Sequence, residues 1–140
     1  MYKFSKSSKE KLETCREELQ VLFNEVVKEF DCTILYGYRS EENQNRLFEQ
    51  KKSKVEWPNS KHNKGPSMGT DAAPYYANHN PHIDWKDREK FVYFAGYVMG
   101  LASKMKIKLR WGGAWKGLGK LNKAHYDKPF DDLVHYELID

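Results

Sequence analysis

Ser60-Lys-His62-Asn-Lys-Gly-Pro-Ser-Met-Gly-Thr-Asp71-Ala-Ala-Pro-Tyr75 changes character halfway along, and the reading of the fold turns on that change. From Ser53 to Gly69 the chain is rich in Lys, Asn, Ser, Pro and Gly, which is loop composition. Met68 to Ala73 then reads as a strand passing beneath the loop. His62 and Asp71 therefore flank a single loop-to-strand turn.

Working outward toward the N-terminus, Ser40 caps an expected helix from Glu41 to Gln50. Cys32-Thr-Ile-Leu-Tyr36 is a short β-rich run that Gly37 breaks before Arg39. Ser7-Ser-Lys-Glu10 reads as a capping box. Behind it Leu12, Cys15, Leu19, Leu22, Val26 and Phe30 recur in steps of three and four, so one amphipathic helix is expected there.

Toward the C-terminus, Tyr75 to Ile83 is turn-like, with Pro74 and Pro81. Asp84 is expected to cap a long helix with the stripe Phe91, Phe94, Ala95, Val98, Leu101, Ala102 and Met105. Gly96 and Gly100 on that helix would allow a neighbour to approach closely. Ile107 to Trp111 and Leu133 to Leu138 are strand candidates. The Gly/Lys-rich connection Gly112 to Asp127, which carries His125, is of the long kind that serves function or mobility.

The 140 residues suit one domain spanning 1–140, without repeat or linker. A hydrophobic fraction of 39% with 31% charged residues is globular and excludes a disordered or fibrous chain. A formal charge of +4 suits anionic polymers. Nucleic acid is not expected, because charges of both signs are interspersed rather than gathered on one basic face. No window approaches the ~18 apolar residues of a membrane span, and no apolar signal segment opens the chain, so neither membrane insertion nor ordinary export is expected. Cys15 and Cys32 form no CxxC pair and read as buried free thiols.

Hydrolysis of an unactivated amide needs a strong nucleophile and a stabiliser for the developing oxyanion. Zinc supplies both, by acidifying bound water and by acting as a Lewis acid, and a catalytic site uses about three protein ligands. His62, Asp71 and His135 offer such a set. Asp132, three residues before His135, is placed to serve as general base, and Glu137, two residues after it, to orient its ring. Spacing alone leaves the alternative open, since single histidines are usually structural and an Asp is more often a turn residue.

The segment from Ser60 to Tyr75 resembles the first zinc motif of phage L-alanyl-D-glutamate peptidases, which group with the D-Ala-D-Ala carboxypeptidases and dipeptidases and share the Hedgehog-domain fold. Asp132-Leu-Val-His135-Tyr-Glu-Leu138 resembles the second zinc motif. Tyr36-Gly-Tyr-Arg39-Ser-x-x-x-Gln44 and Arg110-Trp-Gly-Gly-x-Trp115 resemble two further segments, all four in family order. The resemblance implies an α+β fold, a small mostly antiparallel sheet with packed helices. It implies zinc ligands at His62, Asp71 and His135, a base at Asp132, and Arg39 supporting the substrate carbonyl. Gln44, Ser60 and Trp111 are expected at the substrate, although core packing competes for the aromatic.

The implied activity is hydrolysis of the L-Ala-D-Glu bond of peptidoglycan by a monomeric enzyme. It would accumulate in the host cytoplasm and reach the wall through a separate membrane pore. The alternatives are a D-Ala-D-Ala carboxypeptidase and a non-catalytic zinc-containing wall-binding module. Ala114 and the following Lys116-Gly-Leu-Gly-Lys lack the acidic residues of calcium-responsive relatives, so calcium control is not expected. Gly69 and Thr70 stand where Ala-Val is usual, which predicts a looser strand. Lys51-Lys52-Ser-Lys54 reads as a solvated face, and His79-Asn-Pro-His82-Ile-Asp84 as a solvated turn rather than a second metal cluster.

Overall fold

In the computed structural model, which describes residues 1–122 and 131–139, five helical segments and four strands alternate. They are α1 (Lys6–Leu12), α2 (Glu17–Glu29), β1 (Cys32–Tyr36), α3 (Glu41–Glu49), a 3-10 turn at Lys61–Asn63, β2 (Gly69–Pro74), α4 (Arg88–Lys104), β3 (Leu109–Gly112) and β4 (Asp132–Leu138). The sheet order is β1-β2-β4-β3 and every neighbouring pair is antiparallel. The expected α+β class is what the chain adopts. Among the described residues no helix is long and apolar enough to cross a membrane. His125 lies outside the described residues.

Period-2 alternation decides what each strand gives to the core. Ile34, Ala72 and Tyr136 are fully buried against the helices. The Tyr136 ring meets Phe23 of α2 edge-on at 5.5 Å and Phe94 of α4 at 6.3 Å. Leu19, Leu22, Val26, Ala95 and Val98 complete this layer. Each Leu, Ile or Val among them contributes about 1.5–3 kcal/mol of burial. The opposite face of the central strands is left for chemistry.

Local details depart from the sequence reading. The N-terminal stripe is carried by two helices, because the chain breaks at Thr14–Arg16 to pair with the loop. Arg16 N–H donates to Ser67 O at 2.9 Å and Ser67 N–H to Thr14 O at 2.9 Å. The first cap is Ser5, whose Oγ accepts from Ser8 N–H, and the Ser8 hydroxyl accepts from Ile34 N–H at 3.1 Å, tying α1 to β1. Asp84 does not cap α4; its carboxylate accepts from Lys86 N–H in the preceding turn, and Asp87 occupies the cap position. Gly96 and Gly100 admit no neighbour, since a Cβ at either position meets nothing within 4 Å. Ser40 caps α3 as expected, and Cys15 and Cys32 are buried free thiols.

Thr70 and Gly69 tighten their strand rather than loosen it. Thr70 Oγ1 donates to Tyr36 O at 2.9 Å across to β1. A Cβ on Gly69 would stand 3.1 Å from Lys61 Cβ and 3.2 Å from His135 Cε1, so this position lets the loop and the His135 ring close over β2.

Candidate metal centre and cleft

The register of the central strands assembles the site. Asp71 on β2 lies directly opposite His135 on β4, and Glu137 lies opposite Arg110 on β3. Opposed residues of an antiparallel pair share a face. Asp71, His135, Glu137 and Arg110 therefore form one line across the sheet, on the face opposite the core packed by α2 and α4. His62 comes down onto this line from the 3-10 turn, whose start is fixed by a capping box between Ser60 and Asn63.

His62 Nε2, Asp71 Oδ1 and His135 Nδ1 form a nearly equilateral triangle with edges of 3.0, 3.1 and 3.2 Å. A tetrahedral zinc with ~2.0–2.1 Å bonds sets its ligand atoms ~3.3 Å apart, so the three donors already stand near the spacing such an ion needs. The far ring nitrogens are held as well. His62 Nδ1 lies 2.8 Å from Gly37 O, and because a carbonyl only accepts, this nitrogen carries the proton and Nε2 is left as a donor pair. His135 Nε2 lies 2.8 Å from Glu137 Oε1, leaving Nδ1 turned to the centre. Two histidines and one carboxylate, buried and each backed by a further group, suit zinc well.

Without a cation the same groups neutralise one another. Burial alone would raise the Asp71 carboxyl, but His62 and His135 hold it well below the usual carboxylate range. Burial works against the charged His135 ring, yet hydrogen bonds to Asp71 and Glu137 push it up to about 10. Glu137, opposed by its own burial, is drawn down to about 2 by His135 and by Arg110. Arg110 Nη2 donates to Glu137 Oε2 at 2.6 Å.

Arg39 sits beside this cluster, buried, with its guanidinium 4.5 Å over the Tyr36 ring. One terminal nitrogen donates to Asp71 Oδ2 at 3.3 Å and the other to Gln44 Oε1 at 2.9 Å. The Gln44 amide is consumed behind the cleft: its carbonyl also accepts from Asn63, and its nitrogen donates to Ser53 Oγ and Val55 O. Gln44 is fully buried, so the structure places it as a support for Arg39 rather than at a substrate. Ser60 lines the cleft, with its hydroxyl accepting from His62 N–H at 3.2 Å.

A cleft of about 850 Å³ opens over the cluster, and Asp132, Arg39, His62, Asp71 and His135 all line it. Burial, then the charge of Asp71, raises the Asp132 carboxyl to about 6 against the pull of His135 and Arg39. Trp111 is not at the cleft. It opposes Tyr136, so its ring belongs to the core face, and its indole N–H donates to Leu133 O at 2.8 Å. Its neighbours take the place expected of it: Arg110 and Trp115 line the cleft, the latter with its ring 5.8 Å from that of His135. The alternation Leu109-Arg110-Trp111, apolar residues in and Arg out, is the signal that identifies Arg110.

The chain matches the family described as phage L-alanyl-D-glutamate peptidase over residues 1–139. It is 30% identical over 140 residues to the L-alanyl-D-glutamate peptidase of Escherichia phage T5, covering 95% of this chain and 98% of that protein. Among solved structures, the Serratia marcescens L-Ala D-Glu endopeptidase ChiX shares the fold. It has a TM-score of 0.72 at 20% identity, over 97% of this chain and 89% of that one.

Proposed function

From the premise that this chain belongs to the phage L-alanyl-D-glutamate peptidase family, we propose that it is a zinc enzyme cutting the L-Ala-D-Glu bond of peptidoglycan stem peptides. The observation that carries this reading is the donor triangle of His62, Asp71 and His135 at the floor of a cleft lined by Asp132 and Arg39. The enzyme acts on peptidoglycan, and its metal is held by a buried histidine–aspartate–histidine group.

When bound there, zinc supplies Lewis acidity toward the scissile carbonyl and lowers the pKa of water. The chain's own residues do the rest. Asp132 accepts a proton from the attacking water and returns it to the leaving amine, so that the C–N bond breaks to a carboxylate and a free amine. Arg39, locked by Asp71, Gln44 and the Tyr36 ring, presents its remaining N–H groups to the developing oxyanion. Glu137 and Gly37 O hold the ligand rings.

In this reading residues 1–140 are a single catalytic domain working as a monomer. It acts from the host cytoplasm, reaching the wall once a separate pore opens. The test is mass spectrometry of stem-peptide fragments after purified peptidoglycan is incubated with zinc-loaded protein, beside a chelated control. A chelator-sensitive cut between L-Ala and D-Glu is expected. A cut at D-Ala-D-Ala would replace the bond assignment, and wall binding without new amines would replace the enzyme reading by a binding module.

A further inference from the structure

The glutamyl residue after the scissile bond brings two carboxyl groups and can spend only one on the next amide. Unless it is amidated, the leaving half of the substrate therefore carries a free carboxylate within a few bonds of the reacting nitrogen. A cleft that cuts at this bond has to accommodate that anion.

The carboxylates of the sheet face cannot do so, and two of the cleft cations are already engaged. Arg39 is held by Asp71, and Arg110 by Glu137. One wall is different. Lys52 and Lys61 both line the cleft from the segment between α3 and β2, and no acidic side chain of that segment lines it with them. The segment is turned inward by the end of α3. Lys51 adopts φ 60°, and the N–H groups of Lys52 and Ser53 both donate back to Leu47 O, at 2.8 and 3.1 Å. Lys61 immediately precedes the ligand His62, and its backbone is clamped, Lys61 O accepting from Met68 N–H at 3.2 Å. Its Cβ packs so close to β2 that a Cβ on Gly69 would lie 3.1 Å away, beside the His135 ring. Among the described residues no ion pair joins Lys52 or Lys61 to an acidic group.

We propose that Lys61, with Lys52 lining the same cleft, forms the subsite for the free carboxylate of the substrate's glutamyl residue and so makes the enzyme selective for unamidated stem peptides. This rests on the activity proposed above and adds which form of the substrate is taken. A compact ammonium suits a single carboxylate that must slide in with the substrate, where a bidentate clamp is not required. Selectivity arises because the amide analogue leaves the lysine wall desolvated without a counter-charge.

The test compares two synthetic stem peptides that differ only in whether the glutamyl carboxyl is free or amidated, with kcat/KM measured for zinc-loaded protein. Wild type is expected to favour the free acid by about two- to fivefold, the range of a partly exposed ion pair. Lys61→Gln combined with Lys52→Gln is expected to bring the ratio toward one, and Lys61→Arg to retain the preference. Thermal melts of each variant confirm that the fold is kept. Equal cleavage of both peptides by wild type would overturn the subsite while leaving the peptidase intact, as would a preference that survives the double substitution. No cleavage of either peptide would overturn the proposed activity and the subsite with it.

Discussion

Glu137 Oε1 lies 2.8 Å from His135 Nε2, two residues away along the same strand. Residues at i and i+2 share a strand face, so the pairing is built into the alternation of β4. The contact fixes which nitrogen of His135 faces the metal centre. Glu137→Ala is therefore expected to weaken zinc affinity by about 10- to 100-fold, the usual effect of removing a carboxylate behind a ligating histidine. Glu137→Gln, which keeps an acceptor oxygen, should lose less. Competition against a chromophoric chelator measures both, and unchanged affinity in the alanine variant would refute the role.

Metal loading should release a proton. In the metal-free protein His135 is pushed up to about 10 and is charged at neutral pH, whereas a ligand nitrogen must be unprotonated. Zinc affinity should rise by about tenfold per pH unit across the neutral to mildly alkaline range. Calorimetry in buffers of different ionisation enthalpy would detect the released proton.

Stability follows with a definite sign. The folded value of about 10 lies above the ordinary 6.5, so the stabilising effect of this proton is complete below pH 6.5 and is lost as pH rises through 10. The Tm of metal-free protein should fall over that window on this account. Zinc takes the proton's place, so the gap between loaded and metal-free Tm should widen with pH. A gap that narrows would contradict the assignment.

Much of this site was legible in the sequence. His62 and Asp71 flank one loop-to-strand turn and His135 stands in a strand, but spacing alone left structural histidines as the alternative, and the resemblance of the motifs around them is what joined the three. What escaped reading depends on register and long-range pairing. The break at Cys15 is made by backbone bonds to Ser67, far away in sequence. Gln44 reads as a polar helix residue and becomes fully buried only because Arg39, Asn63 and the Ser53–Val55 segment close around it. Trp111 and Arg110 differ by one position, and one position exchanges the two faces of a strand.

Gly37 combines a close approach with a functional carbonyl. A Cβ there would lie 2.2 Å from Lys11 O and 2.3 Å from Thr14 Oγ1, both pinned by the helix break. Its own carbonyl holds His62 Nδ1. Gly37→Ala should therefore destabilise the fold by about 1–3 kcal/mol through overpacking and lower zinc affinity through the displaced His62 ring. Denaturant melts and the chelator assay together check this. A stability loss with normal affinity would show that Gly37 serves packing alone.

Asp132 is where the chemistry can be tested apart from the metal. Its carboxyl is raised to about 6 by burial and by Asp71, an unusual value for an aspartate but a serviceable one for a base near neutrality. The metal-free protein should show this titration by NMR of the carboxyl carbon. A bound cation favours the ionised form, so in loaded enzyme the acid limb of kcat/KM should fall at or below pH 6, with a plateau at neutrality. Asp132→Asn preserves the size of the side chain and removes its basicity. It should retain zinc, lose the acid limb, and cut kcat by about 10²- to 10⁴-fold, the range of general acid–base catalysis. If the asparagine variant bound zinc and hydrolysed purified wall at the wild-type rate, proton transfer would have to be assigned elsewhere. Its position at the start of β4, three residues from His135 and facing the cleft, would then be a matter of strand pairing with Gly112.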